Sequence, residues 1–384
     1  MVSYQVCSRC VMDTTAGVIS FDEAGVCNYC SAFLERLEKD RSTAAKELSH
    51  RSDFIARVKA FGRGRKYDCI VGVSGGVDSS YALFLAAKSG LRPLAVHLDN
   101  GWNTELAVHN ISSLVTRLGV DLHTHVIDWQ ENRDLQLSFF KANVVDIEML
   151  VDNALQALNY QQAARYGLKY ILAGSNVSTE GLPMPPQWNH FKLDARNIRR
   201  IHRKFGTVPI RTHPLISTAK YVWYEYARGI KWVPFLNFFP YNKFEALNTL
   251  QKEVGYKPYP YKHYESTFTR FYQAYILPRK FGFDKRRVHL SALVASGQIP
   301  RDQALSALEQ SPYPDSEQEK QDRAYVIKKL GFSEAVFEQY LKTPGVPHEY
   351  YGSEKRFFIF LTGVWKLLKE AKAAFRGRSQ RRHE

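Results

Sequence analysis

Short apolar runs alternate with longer segments of helical periodicity between residues 67 and 175. Apolar runs at 69–73 and 93–98 predict two buried strands, and 122–127 and 170–173 are predicted as a third and a fourth strand. The segments between them carry apolar side chains three and four residues apart, which predicts helices at 78–88, 103–118, 131–143 and 151–167. This repeated strand–helix order is typical of an α/β domain with a doubly wound parallel sheet, whose ligands bind at the carboxyl ends of the strands.

A glycine-containing loop follows the first predicted strand, in the sequence Ser74-Gly-Gly-Val-Asp-Ser79. Two glycines allow a tight turn that brings backbone N–H groups close to an anion. The loop leads into a helix, whose N-terminus adds unpaired amides and the positive end of the helix dipole. We therefore predict a phosphate or pyrophosphate ligand, held by these residues: Ser74, Gly75, Gly76, Val77, Asp78, Ser79 and Ser80. The alternative is a strand–turn–helix junction without a ligand.

Small and polar residues also close the second and fourth predicted strands. Leu98, Asp99, Asn100 and Gly101 end the second strand, and Gly174 follows the fourth. Because the carboxyl ends of parallel strands meet at one edge of a sheet, these residues are predicted to bind the rest of a nucleotide. Adenine is expected on the second strand, against its apolar end and the turn that follows.

Four of the five cysteines lie in the first thirty residues, as Cys7-x-x-Cys10 and Cys27-x-x-Cys30. Two such pairs at this separation match a tetrathiolate zinc knuckle, in which each pair grips one side of a tetrahedral ion. The alternatives are a disulfide pair or a redox C-x-x-C motif, and no strand–helix unit surrounds the pairs to favour either. A closed site of this type is structural and does no chemistry.

Composition limits the class of protein. The 384 residues contain 45% hydrophobic residues, which is ample for two or three packed domains. Lysine and arginine exceed the acidic residues by 53 − 38 = 15, which favours polyanionic partners, although part of the excess lies in the tail at 376–382. The sequence has no apolar run long enough for a membrane span and no signal-peptide pattern, so we expect a cytoplasmic protein without a membrane partner.

The loop spacing matches neither the P-loop nor the dinucleotide fingerprint, and it resembles the PP-loop of ATP pyrophosphatases. Together with residues 94–102 and 174–176, the stretch 67–80 resembles the nucleotide-binding segments of the N-acetyl sugar amidotransferases, the WbpG-like branch of the PP-loop superfamily. The resemblance continues through three segments of the C-terminal half, at 262–273, 277–287 and 289–291. It includes the N-terminal cysteine pairs and implies a PP-loop/HUP-type fold.

The resemblance implies a chemistry and its partners. Members of this family are taken to convert an acetamido group of a nucleotide-activated sugar, such as a UDP-diacetamido uronic acid, into an acetamidino group during surface polysaccharide (LPS O-antigen) or glycan synthesis. They use ATP with Mg²⁺ and ammonia. The ammonia comes from a separate HisH-like glutaminase, resembling the amidotransferase subunit of imidazole glycerol phosphate synthase, with or without a HisF-like cyclase subunit. Structural Zn²⁺ completes the implied cofactors.

Several charged residues are candidates for this chemistry. The catalytic candidates are Asp78, Lys220, Lys262 and Glu265, with Mg²⁺ expected near Asp78. The candidates for binding the substrate are Asn176, Glu180, Arg270, Lys285, Arg286 and Arg287, the last three as a clamp for a sugar-linked diphosphate. The alternative for Lys220 is an ordinary exposed lysine, and the alternative for the clamp is a solvated basic helix. The basic run 196–204 is expected to cover the active site or to dock an acidic glutaminase.

Two other functional classes compete with this interpretation. A tRNA-thiolating enzyme also combines a PP-loop with cysteine pairs and a basic surface, but it needs thiolates at its active site. Cys69, inside the first predicted strand, is the only cysteine outside the knuckle, so a nucleic-acid substrate is disfavoured. The second competitor is a non-catalytic nucleotide-binding scaffold, which the full set of strand-end motifs argues against.

We therefore predict four regions along the chain. Residues 1–35 form the cysteine knuckle, 36–66 a pair of linker helices, and 67–230 the PP-loop domain. Residues 231–384 form a helical region that binds substrate or a partner, ending in a long amphipathic helix over 357–375.

Overall fold

The structure is a computed structural model that describes residues 3–259 and 264–366, with the backbone alone described at 39–49. Its centre is a sheet of five parallel strands in the order β3-β2-β1-β4-β5. The strands are β1 (Cys69–Gly72), β2 (Pro93–Asp99), β3 (Leu122–Val126), β4 (Tyr170–Ala173) and β5 (Lys231–Pro234). The chain winds outward from β1 in both directions, so the strand order reverses between β1 and β4, where doubly wound sheets bind ligands. The predicted fold class is confirmed.

Helices cover both faces of this sheet. Those of the first two thirds of the chain are α1 (Asn28–Gly62), α2 (Val77–Lys88), α3 (Glu105–Leu118), α4 (Trp129–Ala142), α5 (Met149–Arg165), α6 (Val177–Glu180), α7 (Ala195–Phe205), α8 (Thr218–Val222) and α9 (Lys243–Val254). Side chains of β1 alternate between the faces, as the pleat requires. Val71 packs in a cluster with Leu83 of α2, whereas Ile70 packs in a cluster with Leu158 of α5. Burial on both faces explains why the strand is apolar throughout.

Two elements differ from the sequence prediction. The predicted pair of linker helices is one continuous helix, α1, because neither glycine nor proline interrupts residues 28–61. Strand β5 was not predicted, and it pairs in parallel with β4, with Ile171 opposite Trp232. Since β5 has only four residues and ends at Pro234, its pattern is too short to signal a strand.

The C-terminal helices and the N-terminal knuckle form one further core. The helices are α10 (Thr267–Phe271), α11 (Arg286–Ala295), α12 (Arg301–Glu309), α13 (Ser316–Leu330) and α14 (Glu334–Lys342), and residues 355–366 are also helical. Short segments complete the chain: 3₁₀ turns at Thr14–Ala16, Pro186–Trp188, Phe235–Phe238 and His348–Tyr351, and π-helical segments at Trp223–Ala227 and Tyr272–Phe281. Met12 of the knuckle belongs to the same buried cluster as Phe271 and Phe337. Within the described residues, no helix is long and apolar enough to span a bilayer.

Candidate active site

The loop between β1 and α2 presents backbone amides at the carboxyl edge of the sheet. Gly76 stands at the N-cap of α2, and no side chain among the described residues caps this end. The loop is braced from within, since Ser79 Oγ accepts a hydrogen bond from Ser74 N at 3.3 Å and donates one to Gly76 O at 3.2 Å. The first-turn amides of a twelve-residue helix therefore face outward in a fixed arrangement, which suits an anion.

Two glycines permit the close packing of this loop. Gly75 has a φ of +86°, and its carbonyl accepts hydrogen bonds from the hydroxyls of Tyr256 at 2.8 Å and Tyr259 at 3.1 Å. At Gly174, after β4, a Cβ atom would lie 2.6 Å from the carbonyl carbon of Asp78. Because backbone cannot yield as a flexible side chain can, Gly174 is required for β4 to approach the start of α2.

A cavity of about 430 Å³ opens beside the loop, at the reversal between β1 and β4. Its lining includes the predicted residues Ser74, Gly76, Val77, Asp78, Ser79 and Gly174. Gly75 and Ser80 are buried behind the loop. The Tyr241 hydroxyl donates a hydrogen bond to the Asp78 carboxylate. Burial raises the pKa of Tyr241 and the Asp78 charge raises it further, so this hydroxyl keeps its proton and orients the carboxylate.

A second cavity, of about 630 Å³, adjoins the first. The two share five lining residues: Val73, Ser74, Leu155, Glu180 and Glu265. The lining of the second is richer in charge, with the cations Arg36, Lys192 and Lys285 among carboxylates that include Glu148. Lys285 Nζ lies 3.3 Å from Glu148 Oε2, and Lys192 Nζ lies 2.6 Å from Asp146 Oδ2. A nucleotide at the loop and a polar second substrate would therefore meet at the shared wall.

The end of β2 contributes to the second cavity. Leu98 and Asn100 line it, as predicted for nucleotide-binding positions, while Asp99 and Gly101 line neither cavity. Asp99 Oδ1 instead accepts a hydrogen bond from Gly101 N at 2.9 Å and shapes the turn. His97, which the sequence analysis did not single out, also lines this cavity.

His97 joins the two strand ends through its ring. Its Nδ1 lies 2.9 Å from the Val73 carbonyl oxygen and its Nε2 lies 2.9 Å from Asn103 Nδ2. Since a carbonyl only accepts, Nδ1 carries the proton and Nε2 accepts from Asn103. Burial lowers the pKa of His97, which keeps the ring neutral in this arrangement.

The carboxylates Asp78, Glu180 and Glu265 are the groups suited to Mg²⁺. Glu180 and Glu265 line both cavities, and a Cβ atom at Gly76 would lie 3.8 Å from Glu265 Oε1. Hard oxygen donors beside a phosphate-binding loop fit Mg²⁺, which usually binds through one or two carboxylates together with substrate phosphates. The structure therefore brings Glu265 to the loop that carries Asp78, although the two lie far apart in the sequence.

Two other predicted site residues are not found at the loop or in its cavity. Lys220 is exposed, lies over the ring of Tyr224 at 5.9 Å and lines neither cavity, so the structure does not bring it to the phosphates. Asn176 is buried and its Oδ1 accepts from Thr179 N at 2.8 Å, which makes it the N-cap of α6 and corrects its assignment to the substrate. Lys262 lies outside the described residues.

The predicted arginine sites are also corrected. Arg270 is buried and forms a two-pronged ion pair with Asp322, at 2.5 and 2.6 Å. Arg286 pairs with Asp284, and it donates to carbonyl groups at the end of α12. Arg287 Nε lies 2.9 Å from Asp13 Oδ2, in the knuckle. Of the proposed diphosphate clamp, Lys285 alone faces the second cavity, because the neighbouring guanidinium groups are held by these carboxylates.

A different lysine lies at the loop cavity. Lys243, the first residue of α9, lines the cavity, and Asn242 caps that helix by accepting from Glu245 N at 3.2 Å. Tyr259 lines the same cavity, and Tyr241 contacts Asp78, which also lines it. An Asn-x-x-Glu helix start was legible in the sequence, but nothing local indicated that it would pack against α2.

The four predicted zinc ligands converge in the knuckle. The sulfurs of Cys7, Cys10 and Cys30 lie within 4.8 Å of one another, and the Cys10 and Cys27 sulfurs are 3.7 Å apart. A tetrahedral ion with Zn–S distances of about 2.3 Å requires sulfurs about 3.8 Å apart, so the site fits zinc. Cys7 Sγ accepts a hydrogen bond from Cys27 N at 3.2 Å, and thiol hydrogen bonds, first from Cys10, lower the pKa of Cys7. Both effects favour the thiolate form of Cys7, whereas the hydrogen bond shared with Cys10 raises the pKa of Cys27 and of Cys30.

The knuckle is fixed to the C-terminal helices by backbone contacts. Arg301 of α12 donates to the carbonyl oxygens of Cys7 at 2.8 Å and Cys10 at 3.1 Å. The Val11 N–H donates to Ser291 of α11 at 3.1 Å. The metal site would therefore stabilise α11, whose neighbour Lys285 borders the second cavity.

Comparison with known proteins gives a family match to part of the chain and two solved structures that it resembles. Residues 265–372 match the model of the family described as LPS biosynthesis protein WbpG-like, C-terminal domain. The chain resembles the structure of NMN synthetase from Francisella tularensis, at 17% identity and a TM-score of 0.28, over 53% of this chain and 76% of that one. It also resembles NH3-dependent NAD synthetase from Campylobacter jejuni, at 15% identity and a TM-score of 0.29, over 57% and 99%. No curated protein matches the chain.

Proposed function

We propose that the protein is an ATP-using enzyme of the PP-loop type, on the premise that residues 265–372 match the WbpG-like C-terminal domain family. More specifically, we propose that it converts an acetamido group of a nucleotide-activated sugar to an acetamidino group. One observation carries the proposal: the open N-terminus of α2 faces a cavity that shares Ser74, Glu180 and Glu265 with a larger, charged cavity. Such an arrangement holds ATP and a polar second substrate side by side.

The chemistry follows from the weakness of an amide as an electrophile. Its carbonyl oxygen would attack the α-phosphate of ATP, which forms an adenylated imidate and releases pyrophosphate. Ammonia would then add at the imidate carbon, and AMP would leave with the original amide oxygen. The barrier of the first step lies in charge that develops on the phosphates, so groups fixed around them accelerate it most.

The residues around the loop have distinct tasks in this scheme. Amides at Gly76–Ser79 would bind the departing pyrophosphate, and the Lys243 ammonium would offset its charge. Glu180 and Glu265, on the wall shared by the cavities, would orient the amide and receive protons from the incoming ammonia. Mg²⁺ held by Asp78 together with the phosphates would neutralise phosphate charge.

The second cavity supports a polar, hydroxyl-rich second substrate such as a sugar, because its lining mixes cations with carboxylates. Its Lys285 and Lys192 ammonium groups are each paired with carboxylates of the protein. Ion pairs of this kind supply fixed polar contacts for hydroxyl, carboxylate or phosphate oxygens without leaving a buried charge uncompensated. The glutaminase partner that supplies ammonia is part of the same proposal.

The thiolation alternative finds no support in the described residues. Cys69 is fully buried in β1, and burial raises the pKa of its thiol, which disfavours the thiolate. Cys7, Cys10, Cys27 and Cys30 are packed together in the knuckle.

A coupled assay tests the proposed function. The purified chain is mixed with ATP, MgCl2, ammonium chloride and a UDP-diacetamido uronic acid, and AMP, ADP and sugar products are measured by chromatography and mass spectrometry. We expect AMP that appears only when sugar is present, together with the amidine product. Release of ADP, or AMP release that requires tRNA and not sugar, would refute the proposal.

A further inference from the structure

The helix at residues 355–366 exposes a stripe of large apolar side chains. On its inner side, Phe358 packs against Phe191 with ring centroids 5.0 Å apart. On its outer side, Phe357 is 40% exposed, Phe360 is 64% exposed and Val364 is 39% exposed. Their spacing of three and four residues places these three side chains along one face of the helix.

Aromatic and cationic side chains adjoin this stripe. Trp365, which is 37% exposed, contacts the ring of Tyr226 on the neighbouring π-helical segment, with centroids 5.2 Å apart. On the same segment Trp223 is 47% exposed, and Arg228 lies 5.2 Å from its ring. Lys231 in turn lies 5.3 Å from the ring of Tyr226. We call the surface formed by Phe357, Phe360, Val364 and Trp365 the aromatic face.

The helix that carries the aromatic face is basic, and Glu225 on the neighbouring segment is paired with Lys231 at 2.9 Å. Residues 355–366 contain Lys355, Arg356 and Lys366 and no acidic residue. The sequence beyond them, 367–384, holds six further cations and two acids. A partner for this region must therefore combine an apolar layer with a dense negative charge.

We infer that the aromatic face binds the surface of an anionic phospholipid bilayer. Phenylalanine and tryptophan on one helix face, flanked by lysine and arginine, are typical of helices that lie in the interfacial plane of a membrane. An apolar anchor or a basic cluster alone gives weak, reversible binding, whereas the two together give stable attachment. This attachment is peripheral, and it departs from the sequence-based expectation that the protein has no membrane partner. It is independent of the proposed reaction.

Vesicle co-sedimentation tests this inference. The full chain is spun with sucrose-loaded vesicles of phosphatidylglycerol and phosphatidylcholine in equal amounts, and with vesicles of phosphatidylcholine alone. We expect binding to the anionic vesicles that is roughly tenfold or more stronger than to neutral ones and that weakens with added salt. Phe360→Glu should weaken it by a similar factor, because it places a charge in the apolar stripe.

A matched variant controls for the added charge. Val336 on α14 is 55% exposed and lies outside the aromatic face, so Val336→Glu makes the same kind of change on another surface and should bind as the wild type does. Circular dichroism checks that all variants are folded. Absence of binding to anionic vesicles, or equal binding by Phe360→Glu, would overturn the inference. A dimer abolished by Phe360→Glu without vesicle binding would also overturn it and would assign the face to a second copy.

Discussion

The buried ion pair between Arg270 and Asp322 allows a direct test of whether Arg270 has a structural role or binds the substrate. The sequence analysis predicted that Arg270 binds the substrate. In the structure its guanidinium donates two hydrogen bonds to the Asp322 carboxylate. The two side chains are 10% and 4% exposed, and the Arg270 guanidinium also lies 4.5 Å from the Tyr264 ring. The pair joins α10 to α13, inside the core that supports the second cavity.

Arg270→Leu should destabilise the protein strongly. It leaves the Asp322 carboxylate buried with Gln318 Nε2, at 3.0 Å, as its remaining recorded side-chain donor. Removing one partner of a buried ion pair costs about 3–5 kcal/mol, a large part of a typical stability of about 5–15 kcal/mol. With a urea slope of about 3 kcal/mol per M, the unfolding midpoint should fall by about 1 M or more.

A double variant and a kinetic measurement complete this test. Arg270→Leu with Asp322→Leu removes both charges, so it should recover much of the lost stability. Urea unfolding is followed by far-UV circular dichroism, and KM for the sugar is measured under conditions where each variant is folded. If Arg270→Leu kept the wild-type midpoint and raised KM for the sugar, the structural role would be refuted and a role in substrate binding restored.

Gly174→Ala should lower the free energy of unfolding by about 1–3 kcal/mol and abolish ATP binding in calorimetry, because its Cβ would lie 2.6 Å from backbone atoms. The control is Gly363→Ala, whose Cβ would have no atom within 4 Å, and it should change neither property. Lys243→Met should weaken ATP binding roughly tenfold and Lys220→Met should not, since Lys243 alone of the two lines the loop cavity. Burial lowers the pKa of His213 to about 4. Below pH 6.5 this histidine is therefore protonated in the unfolded chain but stays neutral in the folded chain until the pH approaches 4. Stability should then fall by about 2 kcal/mol between pH 7 and pH 5, and His213→Gln should lessen this fall in urea titrations.

Each of these predictions has an outcome that would contradict it. ATP binding unchanged in Gly174→Ala would mean that the start of α2 does not need the close approach of β4. Equal ATP affinity in the Lys243 and Lys220 variants would place neither lysine at the phosphates. A wild-type pH dependence in His213→Gln would move the acid sensitivity to other groups, such as the buried His348.

Local patterns in the sequence predicted the central fold. Strands β1, β2 and β4 are mostly apolar and buried and are followed by glycine or polar residues, so composition and turn chemistry agree there. Strand β3 (LHTHV) is polar in its middle and half-exposed at the edge of the sheet. Strand β5 was not predicted because its four residues, which end in proline, are too few to show an alternating pattern. The single helix α1 was divided in the prediction, although no breaking residue stands within it.

The sequence predicted the parts of the site whose residues are neighbours in the chain. The glycine loop follows from residues adjacent in the chain, and the structure places it beside the cavity. The contacts of Arg286 and Arg287 depend on tertiary packing. Asp13, the partner of Arg287, lies some 270 residues away in the sequence. Lys243 reaches the cavity for the same reason, because α9 packs on α2. Charge runs alone do not indicate which cations face a ligand.

The central claim is that adenylate is transferred to the amide oxygen of the sugar, and an isotope experiment tests it most directly. The sugar is prepared with a heavy-oxygen label in the acetamido carbonyl and incubated with the enzyme, ATP, Mg²⁺ and ammonia. The account predicts that the label appears in the phosphate group of AMP, with unlabelled pyrophosphate as the other product. Label in inorganic phosphate, or label retained in the sugar while AMP accumulates, would contradict it.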